Sequence, residues 1–261
     1  MIDIINAKKE FKKYVSNYNP EHPRVALKIA HIGRVTENCK LIAENLGLPE
    51  EEVKLAELIG IFHDLGRFEQ VRIADTFSDR DSGINHGEYS VKVLFEDGLI
   101  RNFIKEDCYD ELIKKAVYNH NRASIEPNLT EKEELFCKII RDADKLDIFY
   151  VTTFAEFLPL FWYKEFNQEE IAQSVIEDIE NRRLVNYANV KNNADQITIF
   201  YGYIFDLYFD ITLKKIAENK YLEQYTEKVK ENFKSEKIHR QADNLLKICN
   251  EFINEKIKGN N

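Results

Sequence analysis

The sequence predicts an all-α protein, and three observations carry that expectation. Its 261 residues include only nine glycines and five prolines, and no glycine lies between Gly98 and Gly202, which suits long helices better than a sheet with many tight turns. Apolar residues recur at helical intervals along most of the chain. Helix boundaries are also marked: Gly47 as a C-terminal cap, Pro49 followed by Glu50, Glu51 and Glu52 as a start, and Thr130-Glu131-Lys132-Glu133 as a capping box.

Residues 3–18 place Ile4, Ile5, Phe11, Tyr14 and Val15 on one helical face, and Asn19-Pro20 then Pro23 interrupt it. A second helix runs from about Arg24 to Gly47, with His31 in its middle and Arg34 one turn further on. The third begins at Pro49, where proline fits a first turn and the acidic residues complement the positive end of the helix dipole. After Gly66 the chain is less periodic and more polar, and residues 75–83 read as a loop able to wall or cover a site. Helices are expected again over Gly87 to about Asp97, over Tyr109–Asn119 with His120 at the end, and from Thr130 through Arg141-Asp142-Ala143-Asp144-Lys145-Leu146-Asp147. On that last helix Asp144 and Asp147 can share an inward face, which Asp142 cannot easily join.

The aromatic groups Phe149, Tyr150, Phe154, Phe157, Phe161, Trp162, Tyr163 and Phe200, Tyr201, Tyr203, Phe205, Tyr208, Phe209 read as core, with one or two able to stack on a base. Asn167 with Glu170 is expected to open another helix, Lys214–Ile257 to form two charged helices, and Gly259-Asn260-Asn261 to fray.

Composition removes some functions. A formal net charge of −9 argues against a protein that tracks a nucleic-acid polymer. No stretch has the length and apolarity of a membrane span, and Met1–Asn6 does not resemble a signal peptide, so a cytoplasmic location is expected. Cys39, Cys108, Cys137 and Cys249 are widely separated, which suits reduced thiols and argues against a cysteine metal site.

The stretch that demands a chemical explanation is Phe62-His63-Asp64-Leu65-Gly66-Arg67. It follows Val53, Leu55, Ala56, Leu58, Ile59, Ile61 and Phe62, an almost wholly apolar run, and an imidazole beside a carboxylate at the inner end of such a run is costly unless satisfied. A pair closed within the core would meet that need, and so would a metal ion.

Taken with His31 and with Asp144 inside Asp-Ala-Asp-Lys-Leu-Asp, the pair His63-Asp64 and the following Leu65-Gly66 resemble the H…HD…D signature of the HD-domain superfamily of metal-dependent phosphohydrolases. The resemblance covers roughly residues 24–150. It implies a helical bundle in which His31, His63, Asp64 and Asp144 ligate a metal. In members with two metals, histidines between the HD pair and the last aspartate hold the second ion and the HD aspartate bridges. His86 and His120 occupy that interval, so the resemblance implies the binuclear type, with one or two ions of Mn, Fe, Co, Ni or Zn.

Arg67 stands where many members have lysine, and either residue could reach a phosphate oxygen. Lys145, Arg122 and Arg34 are further candidates, and His22 and His239 are read as ordinary histidines. The expected organisation is a metal-binding helical core over 1–150 and a C-terminal helical extension over 151–261 packed on the same body.

The expected function is hydrolysis of a small phosphoester, a nucleotide or cyclic nucleotide, by metal-activated water, with Asp64, Arg67 and Lys145 at the reacting centre. A Gly-Tyr-Pro tripeptide is absent, which disfavours cyclic dinucleotides. Two other readings share the ligand list: a di-iron oxygenase of the same superfamily, and a regulatory module that binds a nucleotide without turning it over. A homo-oligomer is compatible with all three.

Overall fold

The structure is a computed structural model that describes residues 1–166 and 170–259. Among the described residues every regular element is helical. The chain divides into two compact units, Met1–Asp144 and Lys145–Asn261.

The first unit contains α1 (Ile4–Val15), α2 (Pro23–Asn45), α3 (Glu50–Phe62), α4 (Leu65–Ala74), α5 (Asp79–Ser82), α6 (His86–Val91), α7 (Ile100–Phe103), α8 (Asp110–Asn119) and most of α9 (Glu131–Phe154). A single π-helical turn, Lys92–Glu96, prolongs α6. Local chemistry sets the boundaries. Asp3 accepts the Asn6 N–H to start α1, Asn85 accepts the Glu88 N–H to start α6, and Thr130 and Glu133 exchange hydrogen bonds ahead of α9.

The centre of this unit is α3. From Val53 to Phe62 only Lys54 escapes burial, so the helix is enclosed rather than laid on a surface. Each fully buried Leu or Ile there contributes about 1.5–3 kcal/mol, which offsets the cost of placing polar groups at the helix end. Its main neighbour is α2, and α1 and α8 also pack against it.

One expectation needs correction. The polar stretch after Gly66 is helical through Ala74, because Phe68 and Val71 supply buried positions one turn apart while Arg72 and Ile73 face solvent. Within the expected loop of residues 75–83, α5 forms a single turn capped by Ser78, and Asp75 and Gly83 adopt left-handed conformations at the helix ends.

The second unit contains α10 (Phe157–Phe161), α11 (Gln173–Glu180), α12 (Asn193–Gly202), α13 (Asp210–Glu218), α14 (Tyr221–Asn232) and α15 (Glu236–Gly259), with short 3-10 turns at Tyr187–Asn189 and Tyr203–Asp206. Its core combines Phe149, Phe157, Tyr201, Tyr225 and Phe233 with aliphatic residues of α11, α12 and α15. The aromatic groups are thus mostly core, while Tyr150, Phe154, Trp162 and Tyr208 are exposed.

The charged C-terminal segment forms three helices rather than two, since the stops at Asn219-Lys220 and Phe233-Lys234 both break the periodicity. The helix expected at Asn167 begins at Gln173. Asn167 itself lies outside the described residues, as do Asn260 and Asn261.

Candidate metal centre

Two glycines bring the site's elements together. At Gly60 a Cβ would stand 2.9 Å from the Thr36 Cα and 3.2 Å from the Cys39 Sγ, so only glycine lets α2 and α3 cross this closely. That approach sets His31 Nε2 at 3.2 Å from His63 Nε2. At Gly66 a Cβ would lie 2.5 Å from the His86 carbonyl oxygen and 2.6 Å from the Ser90 nitrogen, so α4 begins in backbone contact with α6. The Ser90 hydroxyl locks this junction: it accepts the Gly66 N–H at 2.8 Å and lies 2.8 and 2.9 Å from the carbonyls of His63 and His86.

The chain breaks helix at the HD pair itself. His63 closes α3, and Asp64, with φ −112° and ψ 17°, precedes α4. Asp64 occupies an N-cap position, yet its carboxylate makes no capping bond and is left for the site. His86 is the first residue of α6 and His120 follows the last residue of α8. Arg141, almost completely buried, fixes the turn after α8 by donating to the carbonyls of Asn119 at 2.8 Å and Arg122 at 2.6 Å.

These elements arrange four imidazoles around one carboxylate. Asp64 Oδ2 lies 3.5 Å from His31 Nε2 and 3.6 Å from His63 Nε2. Asp64 Oδ1 lies 3.5 Å from His86 Nε2 and 3.6 Å from His120 Nε2. Asp144 Oδ1 approaches His31 Nε2 at 3.1 Å and His63 Nε2 at 3.9 Å, and its side chain, 18% exposed, is the most accessible of the six. Asp142 and Asp147 are buried as well.

The protonation pattern of this cluster matches metal ligation. His63 Nδ1 faces the Gly60 carbonyl at 2.8 Å, and His120 Nδ1 faces the Val117 carbonyl at 2.6 Å. His86 Nδ1 faces the Asp79 carboxylate at 2.7 Å. The two carbonyls and the carboxylate only accept, and for His86 the carboxylate lies closer than the Asn121 amide nitrogen at 3.2 Å, so each Nδ1 carries the proton and each Nε2 presents a lone pair to the interior. His86 and His120 then aim two lone pairs at each other across 3.1 Å, with the Arg67 Nη2 at 3.2 Å from His86 Nε2, an arrangement that a cation relieves.

The charges agree. Burial pushes the His63 pKa down to about 4 and that of His86 down to about 3, the latter with help from the Arg67 charge, so both rings are neutral. Burial works against ionisation of Asp64, but the Lys28 ammonium, donating to its Oδ2 at 2.6 Å, holds it well below the carboxylate range. Asp144 is likewise held low, against its burial, chiefly by its hydrogen bond to His31.

Asp64 Oδ1 is buried without a hydrogen-bond partner, although two imidazole nitrogens stand 3.5 and 3.6 Å away. A buried carboxylate oxygen left in that state is expensive unless a cation is bound there. The donor set therefore fits a transition metal: His31, His63 and Asp64 form one group able to hold an ion, and Asp64, His86 and His120 form another.

In a comparison with family models, residues 29–148 match the HD domain. Residues 29–148 are an HD domain. Comparison with curated proteins and with solved structures gives no significant match. HD domains are in general metal-dependent hydrolases, and the His/Asp cluster described above is consistent with the family's metal-binding motif.

The structure brings all six expected ligand residues of the HD domain together and sorts the expected cations. Arg67 reaches the cluster, with Nη2 at 3.2 Å from His86 Nε2 and Nε at 3.6 Å from Asp64 Oδ1. Lys145 belongs to the second unit, where its ammonium pairs with Asp206 at 2.7 Å beside the Tyr203 ring, so its charge is already committed. Arg122 pairs with Glu88 and lies over the Tyr118 ring, and Arg34 is half-buried on α2. His22 sits beside Asp75 and His239 faces the Phe233 carbonyl.

Lys28 escaped the sequence reading. It donates to Asp64 Oδ2 at 2.6 Å with a side chain only 15% exposed. Its spacing of three residues from His31 on one helix was the available signal. Asp79, Gln70 and Ser90 also escaped it, because each acts through a neighbour on another helix that only the folded chain brings against it.

Proposed function

We propose that the HD domain hydrolyses a small phosphoester, a nucleotide or cyclic nucleotide, with water as the nucleophile. One observation carries the reading: the two oxygens of Asp64 each face a different pair of imidazole nitrogens at 3.5–3.6 Å, the disposition expected of a carboxylate shared by two ions. Bound there, two ions would lower the pKa of a coordinated water and stabilise the attacking and leaving oxygens of a phosphoryl group.

The chain's own residues supply the rest. Lys28 and Arg67 both lie against Asp64 and both lie near the Phe77 ring, 5.2 and 5.7 Å from its centroid. Two cations beside an ionised carboxylate cluster compensate for the negative charge that a phosphate brings. Arg67 is held for that task by its hydrogen bonds to the Gln70 side chain at 2.6 Å, the Phe77 carbonyl at 2.6 Å and Asp79 at 3.0 Å.

The test is phosphate or nucleoside release from a panel of nucleotides and phosphodiesters, with manganese under argon, comparing wild type with Asp64→Ala. Release that is lost in the variant supports the hydrolase. No release under argon, together with oxygen consumption by the iron-loaded protein in air, would replace it with the oxygenase. Tight nucleotide binding with no product over hours would leave the regulatory module.

A further inference from the structure

Three of the site's imidazoles orient their Nε2 lone pairs inward by fixing a proton on Nδ1, but they do so by two different means. His63 and His120 end helices, so the carbonyl three residues earlier on the same helix, Gly60 or Val117, is within reach. These partners are main-chain atoms and no substitution removes them. His86 begins α6 and has no preceding turn to supply a carbonyl. Its Nδ1 meets instead the carboxylate of Asp79 on α5, at 2.7 Å from Oδ2 and 2.9 Å from Oδ1.

Asp79 is itself tightly held. Gln70 Nε2 donates to Asp79 Oδ1 at 2.8 Å and also binds Ser82 Oγ at 2.9 Å and the Ile84 carbonyl at 3.1 Å. Asn121 donates to Asp79 Oδ2 at 3.3 Å, from the residue after His120. Arg67 donates to Asp79 Oδ1 at 3.0 Å while its other terminal nitrogen contacts His86 Nε2. One loop carboxylate thus locates a metal-facing imidazole and a cation proposed for the phosphate.

We propose that Asp79 is the positioning residue of the second half of the centre, formed by Asp64, His86 and His120: it fixes the tautomer and orientation of His86 and so sets the affinity of that half alone. A carboxylate on the far nitrogen of a ligating imidazole raises its basicity and holds its ring, and loss of such a partner typically weakens metal binding by about 10–100-fold. The first half, His31, His63, Asp64 and Asp144, has no hydrogen bond to Asp79 among those described. The proposal rests on the two-ion reading of the site, and its test separates the two.

The experiment is calorimetric titration of the metal-free full chain with manganese, for wild type and Asp79→Asn, with the thermal midpoint of each recorded. Asparagine keeps the shape and one acceptor oxygen but removes the charge. Wild type is expected to take two ions. The variant is expected to bind the first with unchanged affinity and the second roughly tenfold to a hundredfold more weakly.

Two undiminished affinities in a folded variant overturn the role of Asp79 and leave the two-ion reading standing. Equal weakening of both overturns it too, because a loop that merely supports the fold would act on both halves. A wild type that takes a single ion overturns the two-ion reading and this inference with it. Nitrogen-15 shifts of the imidazole rings in the metal-free wild type give a readout independent of any variant: His86 must carry its proton on Nδ1, and a proton on Nε2 would overturn the assignment.

Discussion

Gly66→Ala adds one methyl group at a position where nothing can yield. The new Cβ would stand 2.5 Å from the His86 carbonyl oxygen, 2.6 Å from the Ser90 nitrogen and 3.0 Å from the Tyr89 carbonyl carbon, all of them backbone atoms. An ordinary carbon–oxygen contact is about 3.3 Å, so α4 and α6 must separate by roughly 0.8 Å. That motion stretches the Gly66 N–H bond to Ser90 and carries His86 away from Asp64. Overpacking of this kind costs about 1–3 kcal/mol, which corresponds to a fall in Tm of about 2–10 °C. A displacement approaching 1 Å in a catalytic constellation costs on the order of 100-fold in rate. Differential scanning calorimetry and manganese titration read both consequences: a lower Tm, and weaker binding at the half that contains His86. A Gly66→Ala protein with the wild-type Tm and both manganese affinities intact would refute the claim that this glycine exists to let α4 touch α6.

Three further predictions follow from the same geometry. Arg141→Met leaves the carbonyls of Asn119 and Arg122 without their buried donor, and each lost bond costs about 1–3 kcal/mol, so urea unfolding is expected to show a loss of about 2 kcal/mol or more in unfolding free energy, and an unchanged midpoint would contradict it. Manganese at 100 times its dissociation constant should stabilise the metal-free protein by about 2.7 kcal/mol, and a Tm that ignores manganese would count against any ion in this cluster. The metal-free protein should also be acid-labile. The pKa of His63 is lowered to about 4 and that of His86 to about 3, against an ordinary value near 6.5, so their contribution is present above pH 6.5 and is lost as pH falls. Between pH 7 and pH 5 the unfolded state takes up protons that these folded rings refuse, at roughly 2 kcal/mol each. Urea midpoints measured in EDTA should fall across that window, and a flat profile would show that the rings are not buried neutral.

Much of the HD domain could be read from local signals. The starts of α3 and α9 follow from proline with acidic residues and from a capping box, and the observed helices begin at Glu50 and Glu131. His63-Asp64 was legible because an imidazole and a carboxylate ending an apolar run need partners, and the structure places them at the break between α3 and α4. What stayed hidden depends on tertiary approach. α4 shows a weak pattern because glycine and glutamine, Gly66 and Gln70, fill two of its buried positions, and its place is set by contact with α6 at Gly66, which no window of sequence reveals. Lys145 looked chemical for standing beside Asp144, yet neighbours on a helix point in different directions, and its charge is met by Asp206. Asp79 looked like a loop residue, and its part emerges only once α5 lies against His86.

The account's central claim is that Asp64 joins the two halves of the centre, and manganese binding by Asp64→Ala tests it most directly. Equilibrium dialysis of the metal-free wild type should yield two bound ions per chain. The variant removes both the oxygen facing His31 and His63 and the one facing His86 and His120, so both affinities should fall together while the far-ultraviolet spectrum keeps its helical form. An Asp64→Ala protein that still binds two ions as tightly as the wild type would contradict the account at its centre.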